Sequence, residues 1–147
     1  MSKQHSSIGS ETYSFALRQI DLIEKSLKTY IKKEKKIEYD YDISLQIIPN
    51  PNDNHSLHMM SVDIFPKSQD KEIIATFKLG FVFEIPNLKN IAIISEEGIT
   101  LPEGLLNLLN AVVIGTMRGV VFSELRGTLL SDVILPVLDP SKFKRGG

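Results

Sequence analysis

The stretch TLPEGLLNLLNAVVIGTMRGVVFSELRGT, residues 100–128, decides the fold of this 147-residue chain. Thr100 and Glu103 have the spacing of a capping box, and Pro102 suits the first turn of a helix. Gly127 and the preceding Arg126 are typical of a helix end. Apolar residues lie nearly all round this helix, and such a helix is stable only when it is covered on more than one side. We therefore predict a long helix that is covered by a sheet and by another subunit.

A membrane span is the alternative interpretation of the same helix. The stretch from Leu105 to Val121 is apolar, but Asn107, Asn110 and Arg118 interrupt it. A span needs about 20 mostly apolar residues, and an arginine near its middle costs several kcal/mol. The buried helix of a soluble protein is the favoured interpretation, without membrane insertion.

Small residues recur on the predicted helix at Gly115 and Gly119, four residues apart. Such spacing lets another helix or a sheet approach the backbone closely. We predict a subunit interface at Ala111, Gly115 and Gly119.

Three segments upstream of the helix alternate between apolar and polar residues with the period of a β-strand. Turn residues separate them at 49–54 and 66–70, so we predict an antiparallel meander. A further short strand is expected at Ile91 to Ile94. The residues expected on one face of each strand are Tyr39, Tyr41, Ile43, Leu45 and Ile47 in the first; Met60, Val62 and Ile64 in the second; and Ile73, Ala75, Phe77, Leu79, Phe81, Phe83 and Ile85 in the third.

The segment from Tyr13 to Tyr30 fits two structures. A helix would align Ala16, Ile20, Ile23, Leu27 and Tyr30. A strand would align Tyr13, Phe15 and Leu17, followed by Ile20 and Leu22 after a bulge near Arg18 and Gln19. Periodicity slightly favours the helix, and both structures stay open at this point.

Composition argues against several classes of function. The net charge is -1, so no overall field favours nucleic acid or a membrane surface. Six lysines lie between Lys25 and Lys36, but no aromatic side chains interleave with them as base-stacking platforms would. We interpret this segment as a solvated connection. The absence of cysteine excludes disulfides and fits a reducing, intracellular compartment.

Candidate catalytic groups are sparse. His55 and His58 are expected in or beside an exposed turn, and His5 lies in a polar lead. Neither a nucleophile elbow nor the ending of a phosphate loop is present. We therefore expect no enzyme, no metal and no cofactor, although a small-ligand site assembled in space stays an alternative.

Several short motifs stand out along the chain: Arg118, the triplet Arg126-Gly127-Thr128, Pro136-Val137, Gly80 with Phe83-x-Ile85, and the opening Phe15-Ala-Leu-x-x-Ile20. Together they resemble the SecB family of protein-export chaperones. In that family the opening segment is a strand, which decides between the two structures of residues 13–30. The resemblance implies an α+β fold, with a four-stranded antiparallel sheet and one long helix packed on it. It also implies a tetramer, a dimer of dimers with the helices between dimers.

The resemblance further implies an ATP-independent holdase of the bacterial cytoplasm. Such a protein binds unfolded polypeptides in apolar grooves, serves protein export and needs no cofactor. Leu129 and Ile134 carry over from the family's groove. We add Leu130 and Val133 to the predicted groove because of their position in the chain. Tyr39, Tyr41 and Phe122 are further candidates. We expect a disordered lead at 1–12, one domain at 13–140 and a disordered tail at 141–147.

The sequence departs from the family in two places. It ends soon after Phe143, so the family's last helix is expected to be absent or very short. Export members dock the SecA motor through acidic residues on the sheet. Here Glu24 matches one of them, whereas Lys28 and Thr76 stand where others are expected. A dedicated chaperone of one client, such as an antitoxin, and a dimerisation or binding domain without chaperone activity are therefore alternatives.

Overall fold

The computed structural model describes residues 3–8, 11–28, 38–67 and 72–143. Short 3-10 turns lie at Pro51–Asp53 and Pro140–Lys142. The expected connection runs from Lys25 to Lys36; its residues 25–27 belong instead to a strand, and its residues 29–36 lie outside the described residues, as do 144–147 of the expected tail. The strands and helices are β1 (Lys3–Ile8), β2 (Glu11–Leu27), β3 (Tyr39–Asn50), β4 (His55–Pro66), β5 (Ala75–Glu84), α1 (Leu88–Ile91), β6 (Ile93–Ser95), β7 (Gly98–Thr100) and α2 (Glu103–Leu125).

The main sheet has the strand order β1-β2-β5-β4-β3, and all neighbouring strands are antiparallel. Strands β3, β4 and β5 form the predicted meander, and β2 pairs with β5 at its other side. The short strands β6 and β7 form a separate hairpin. The four strands β2 to β5 with α2 packed on them confirm the predicted α+β fold.

Strand β2 settles the ambiguous segment. It runs from Glu11 to Leu27 and has a register shift between Leu17 and Gln19, where a bulge was predicted. A second shift lies between Leu22 and Glu24. Each bulge changes which side chains face the helix, and this explains why the apolar residues of the segment fit a helical period as well.

The amino-terminal residues differ from the expected disordered lead. Lys3–Ile8 form β1 and pair with Glu11–Ala16 of β2. The edge of β2 offers free N–H and C=O groups there, and backbone pairing does not require apolar side chains. At the other end, Pro140–Lys142 form a turn and Asp139 accepts a hydrogen bond from the Ser141 N–H group, and the bounds of the expected tail stay a prediction.

The core lies between the sheet and α2. Residues of even number in β4 and of odd number in β5 face the helix. Their largest members, Met60, Ile64, Phe77, Phe81 and Phe83, are fully buried, as are Leu105, Leu109 and Met117 of α2. Ile73 is an exception to the prediction, since it is 51% exposed while Ile74 is buried. Strand β5 begins only at Ala75, so the alternation does not extend back to Ile73.

His58 corrects a prediction, because it lies inside the core instead of in an exposed turn. The turn ends at Asn54, which takes up the left-handed conformation with φ of 54°, and β4 begins at His55. Ser56 and His58 then share the inward face with Met60, and both are 0% exposed. His55 is exposed, as expected.

The predicted capping box at the start of the long helix is wrong. Thr100 belongs to β7, and its hydroxyl donates to the carbonyl oxygen of Ile93 across the hairpin. Pro102 is the N-cap residue, without a side-chain cap. The expected strand at Ile91 to Ile94 is also displaced, since α1 includes Ile91 and the strand covers Ile93–Ser95. The predicted helix end is close to the observed one, because α2 stops at Leu125 and Gly127 has a φ of 78°.

Candidate functional site

The triplet Arg126-Gly127-Thr128 turns the chain back after α2. Gly127 takes up a positive φ that a residue with a side chain would adopt only with strain. The Thr128 hydroxyl donates to the Leu125 carbonyl at 2.6 Å and accepts from the Leu130 N–H at 3.1 Å. This threonine therefore satisfies a free carbonyl at the helix end and fixes the direction of the chain that follows.

The tail segment, residues 133–139, has no regular secondary structure. Val133 and Leu135 are buried, whereas Ile134 is 62% exposed and Val137 is 81% exposed. Alternate burial is typical of an extended chain, and the prolines at 136 and 140 favour extended backbone in the residues before them. The tail segment therefore presents one apolar edge to the protein and another to solvent.

Side chains from β3 and α2 hold the tail segment. We call the surface formed by Tyr39, Tyr41, Asn110 and Arg118 the trough. The Tyr41 hydroxyl donates to the Ile134 carbonyl at 3.2 Å, and the Arg118 Nε–H donates to the Leu135 carbonyl at 3.3 Å.

Three more contacts lie at the two ends of the trough. The Tyr39 hydroxyl donates to the Asp132 carboxylate at 3.3 Å. Asn110 Nδ2 donates to the carbonyls of Phe143 at 2.7 Å and Pro140 at 3.4 Å. Most of the bonds that the trough makes therefore end on backbone carbonyls, which every sequence carries.

The two tyrosines of the trough are donors at neutral pH. Burial, and then the negative charge and hydrogen bond of Asp132, raise the pKa of Tyr39 to about 12. Burial and the same carboxylate raise the pKa of Tyr41. Both phenols therefore keep their protons in any physiological buffer.

The seven residues predicted to line a groove fall into four groups. Leu130 and Val133 are buried in the core cluster, and Tyr39 and Tyr41 are partly buried in the trough. Leu129 and Ile134 are more than half exposed. Phe122 is 47% exposed on α2, with the Arg126 guanidinium 5.9 Å from its ring centroid. The structure brings the tyrosines and Ile134 together, and their role in binding stays a prediction.

The predicted subunit interface lies on the outer side of α2. Ala111, Gly115 and Gly119 are exposed, and a methyl group at either glycine would meet no atom of the described residues within 4 Å. Beside them lies an open groove of ≈ 200 Å³. Its walls are Ile114 and Arg118 of α2, Val137 and Leu138 of the tail segment, and Pro140 in the turn that follows. This side of the helix is free for close approach, and its use as an interface stays a prediction.

By length and composition α2 could cross a membrane, a test that the core helix of a soluble protein also passes. Less than half of its most apolar window is buried inside the fold. The helix therefore keeps apolar surface that residues 3–8, 11–28, 38–67 and 72–143 do not cover.

Sequence reasoning missed two further apolar surfaces. The first lies on β2, where Ile20, Leu22 and Ile23 are between 44% and 51% exposed. Ile20 and Leu22 oppose Phe81 and Leu79 and so face the helix side of the sheet, whereas Ile23 lies over Gly80. A Cβ atom at Gly80 would come within 2.9 Å of the Ile23 side chain, which gives this glycine a packing role.

The second missed surface is the β6–β7 hairpin, where Ile93, Ile94 and Ile99 are 50%, 73% and 40% exposed. The sequence predicted a short strand at Ile91 to Ile94 but gave no sign that its isoleucines would be exposed. Glu24, the residue matched to SecA docking, is exposed on β2 opposite Lys78. Over the described ranges, no group of three or more metal-ligating side chains lies together.

No family model and no curated protein matches this chain. Among solved structures, it is similar to the Mycobacterium tuberculosis Rv1957 SecB-like chaperone in complex with a ChAD peptide from the Rv1956 HigA1 antitoxin. The TM-score is 0.64 at 15% sequence identity, and the match covers 84% of this chain and 89% of the other. At that identity the likeness concerns the fold, and the fold of this chain is SecB-like.

Proposed function

We propose that this chain is an ATP-independent holdase that binds unfolded polypeptides through apolar surface. The observation that carries the proposal is the set of large apolar side chains left exposed on a SecB-like fold. They lie on β2, on the outer side of α2, on the β6–β7 hairpin and along the tail. A solved structure of the same fold is a chaperone with a bound peptide, which supports the proposal.

Apolar burial supplies the binding energy. An unfolded client gains about 25 cal/mol for each Å² of apolar area that it buries. Ordering the client opposes this gain, so a single contact of a few hundred Å² is weak. Binding at several copies of the surface within one assembly raises the effective affinity. Preferential binding of the unfolded state is then enough to hold a client without ATP.

We propose that the assembly is a tetramer formed through α2. The exposed stripe of Ala111, Gly115 and Gly119 supports this, because small residues allow two helices to approach closely. In this arrangement α2 is covered by its own sheet on one side and by another subunit on the other.

An aggregation assay tests the proposed holdase activity. A chemically denatured test protein is diluted into buffer with and without this chain, in the absence of nucleotide, and light scattering is recorded. We expect suppression of scattering at substoichiometric amounts of tetramer. An equal mass of a folded protein without chaperone activity is the control. Unchanged scattering at severalfold excess of the chain would reject the holdase.

A dedicated chaperone for one client is the second candidate, favoured by the antitoxin peptide in the solved relative. It shares the fold and the apolar surface but predicts failure on generic denatured proteins. Pull-down of bound polypeptides from the native cell separates the two, because a holdase retains many species and a dedicated chaperone retains one.

Coupling to SecA and a place in the cytoplasm belong to the holdase proposal. Exposed Glu24 is the residue proposed to contact the motor. Binding of purified SecA to the chain, compared with Glu24→Lys, tests this part separately from holdase activity.

A further inference from the structure

We propose that the tail segment occupies the site at which an unfolded client binds, and that an extended polypeptide displaces the tail segment from the trough. This proposal rests on the proposed function, which identifies the natural occupant as an unfolded client. It adds that the tail segment regulates the site by competing with the client. The occupant is an extended polypeptide with apolar side chains at alternate positions. Residues 133–139 of the chain are themselves an extended apolar segment of this kind, bound in the trough.

The contacts of the tail segment resemble those of a bound peptide. Val133 and Leu135 insert side chains that are 1% and 3% exposed, with the exposed Ile134 between them. Tyr41 and Arg118 reach from β3 and α2 to two successive carbonyls. Alternate apolar anchors with donors to the backbone bind an extended chain with little dependence on its sequence.

The tail segment is also easy to exchange. Among the described residues, no backbone-to-backbone hydrogen bond joins residues 134–139 to the sheet. A strand that belonged to the sheet would be held by a ladder of such bonds. The hydrogen bonds given by Tyr41 and Arg118 are 3.2 and 3.3 Å long, which is longer than usual for a hydroxyl and an N–H donor, and both bonds are therefore weak.

Asn110 shows that the tail is an imperfect occupant. Its side chain is 0% exposed, and its amide nitrogen donates to the carbonyls of Pro140 and Phe143. Its Oδ1 atom is buried and has no partner among the described residues. Pro140 lacks an N–H group, so it cannot supply the missing donor. A polypeptide with another residue at that position brings an N–H group to this end of the trough.

The test uses the full chain and a fluorescein-labelled synthetic peptide with the sequence of residues 132–143. Fluorescence anisotropy measures the dissociation constant of this peptide. Leu135→Ser removes one buried anchor of the tail, and Val137→Ser changes a residue of the same segment that is 81% exposed. Thermal unfolding followed by circular dichroism reports whether each variant folds.

We expect the peptide to bind Leu135→Ser at least tenfold more tightly than the unchanged chain or Val137→Ser. Release of a competing internal segment increases the fraction of chains that are open to binding. Adding Tyr41→Ala to Leu135→Ser should remove the gain, which locates the peptide in the trough. A control peptide with Val133→Ser and Leu135→Ser should bind weakly, and one with Pro140→Ala should bind more tightly than the native sequence.

Equal or weaker binding by folded Leu135→Ser would overturn the proposal, because a fixed wall of the groove predicts loss of binding when an anchor is removed. Should Leu135→Ser fail to fold, Val133→Thr keeps the shape of the anchor and is expected to give a smaller gain in the same direction. Unchanged binding by Val133→Thr would then overturn the proposal. Failure of the aggregation assay leaves these peptide measurements interpretable, so the two proposals fail separately.

Discussion

A single histidine makes the stability of this protein depend on pH. His58 is 0% exposed, its Nε2 atom lies 2.9 Å from the Ser56 hydroxyl, and its ring meets Phe83 edge-on at 5.0 Å between centroids. Its Nδ1 atom has no hydrogen-bond partner in the described part of the chain. Burial lowers the pKa of His58 from 6.5 to about 3. The folded protein therefore keeps this ring neutral where the unfolded chain protonates it.

The sign of the effect follows from that difference in pKa. Above pH 6.5 the ring is neutral in both states and contributes no pH dependence. Between pH 6.5 and 3 the unfolded chain binds the extra proton, so stability falls as pH falls, by about 2 kcal/mol at pH 5. Urea unfolding at pH 7 and pH 5 measures this loss. We expect His58→Leu to lose about 2 kcal/mol less than the unchanged chain, and equal losses would show that His58 is not responsible.

The residue pattern of β4 already points to the burial of His58. His58 has the same parity as Met60, Val62 and Ile64, so strand alternation extended backwards would have placed it in the core. The nearby turn residues and the polar character of histidine favoured an exposed turn instead. The Asn110 contacts could not be predicted, since they depend on where the tail lies after the turn at Gly127.

At the scale of elements, α2 combines a well-predicted body with a wrongly predicted start. Its apolar composition required burial, and the sheet covers one side. Its first turn was misplaced because Thr100 makes a cross-strand hydrogen bond in β7, a tertiary contact that competes with capping. Strand β2 shows a similar limit, because two bulges obscured its period and only the family resemblance chose the strand.

The outer side of α2 allows assembly and folding to be tested apart. A Cβ atom added at Gly115 meets no atom of the described residues within 4 Å apart from its own helix backbone, and we expect Gly115→Leu to leave the fold intact. Replacing a glycine inside a helix typically adds about 1 kcal/mol of stability. The same side chain should split the assembly by overpacking the close contact between helices.

Native mass spectrometry and circular dichroism measure the two properties separately. Gly115→Ala, which adds one methyl group, serves as the graded control and should retain the assembly. Intact tetramers of Gly115→Leu would place the interface elsewhere on the molecule.

At the scale of the whole molecule, the described part of the chain leaves several apolar surfaces uncovered. The β2 residues Ile20, Leu22 and Ile23, the β6–β7 hairpin and α2 all leave large apolar side chains exposed. The predicted sheet and helix followed from residue periods. The exposed surfaces at β2 and the hairpin could not be predicted in this way. Residue periods show which face of a strand is apolar, but they do not show whether another helix or strand covers that face.

Association of subunits through the exposed apolar surface would make the melting temperature depend on protein concentration. If other copies cover part of the surface, the folded state is stabilised by association and the melting temperature rises with protein concentration. We expect an increase of several degrees over a roughly hundredfold range of concentration. Gly115→Leu should show little dependence. A melting temperature of the unchanged chain that is independent of concentration would contradict assembly through α2.

The way in which the tail is held has a consequence for deuterium uptake. Side-chain burial anchors residues 133–135, but protection from exchange depends on hydrogen bonds of the amide itself. Because no described backbone group accepts from the amides of residues 134–139, this stretch should take up deuterium almost as fast as an unstructured peptide while β4 and β5 remain protected. Val133 and Leu135 are buried like core residues, yet the segment that contains them would exchange as solvent-exposed chain.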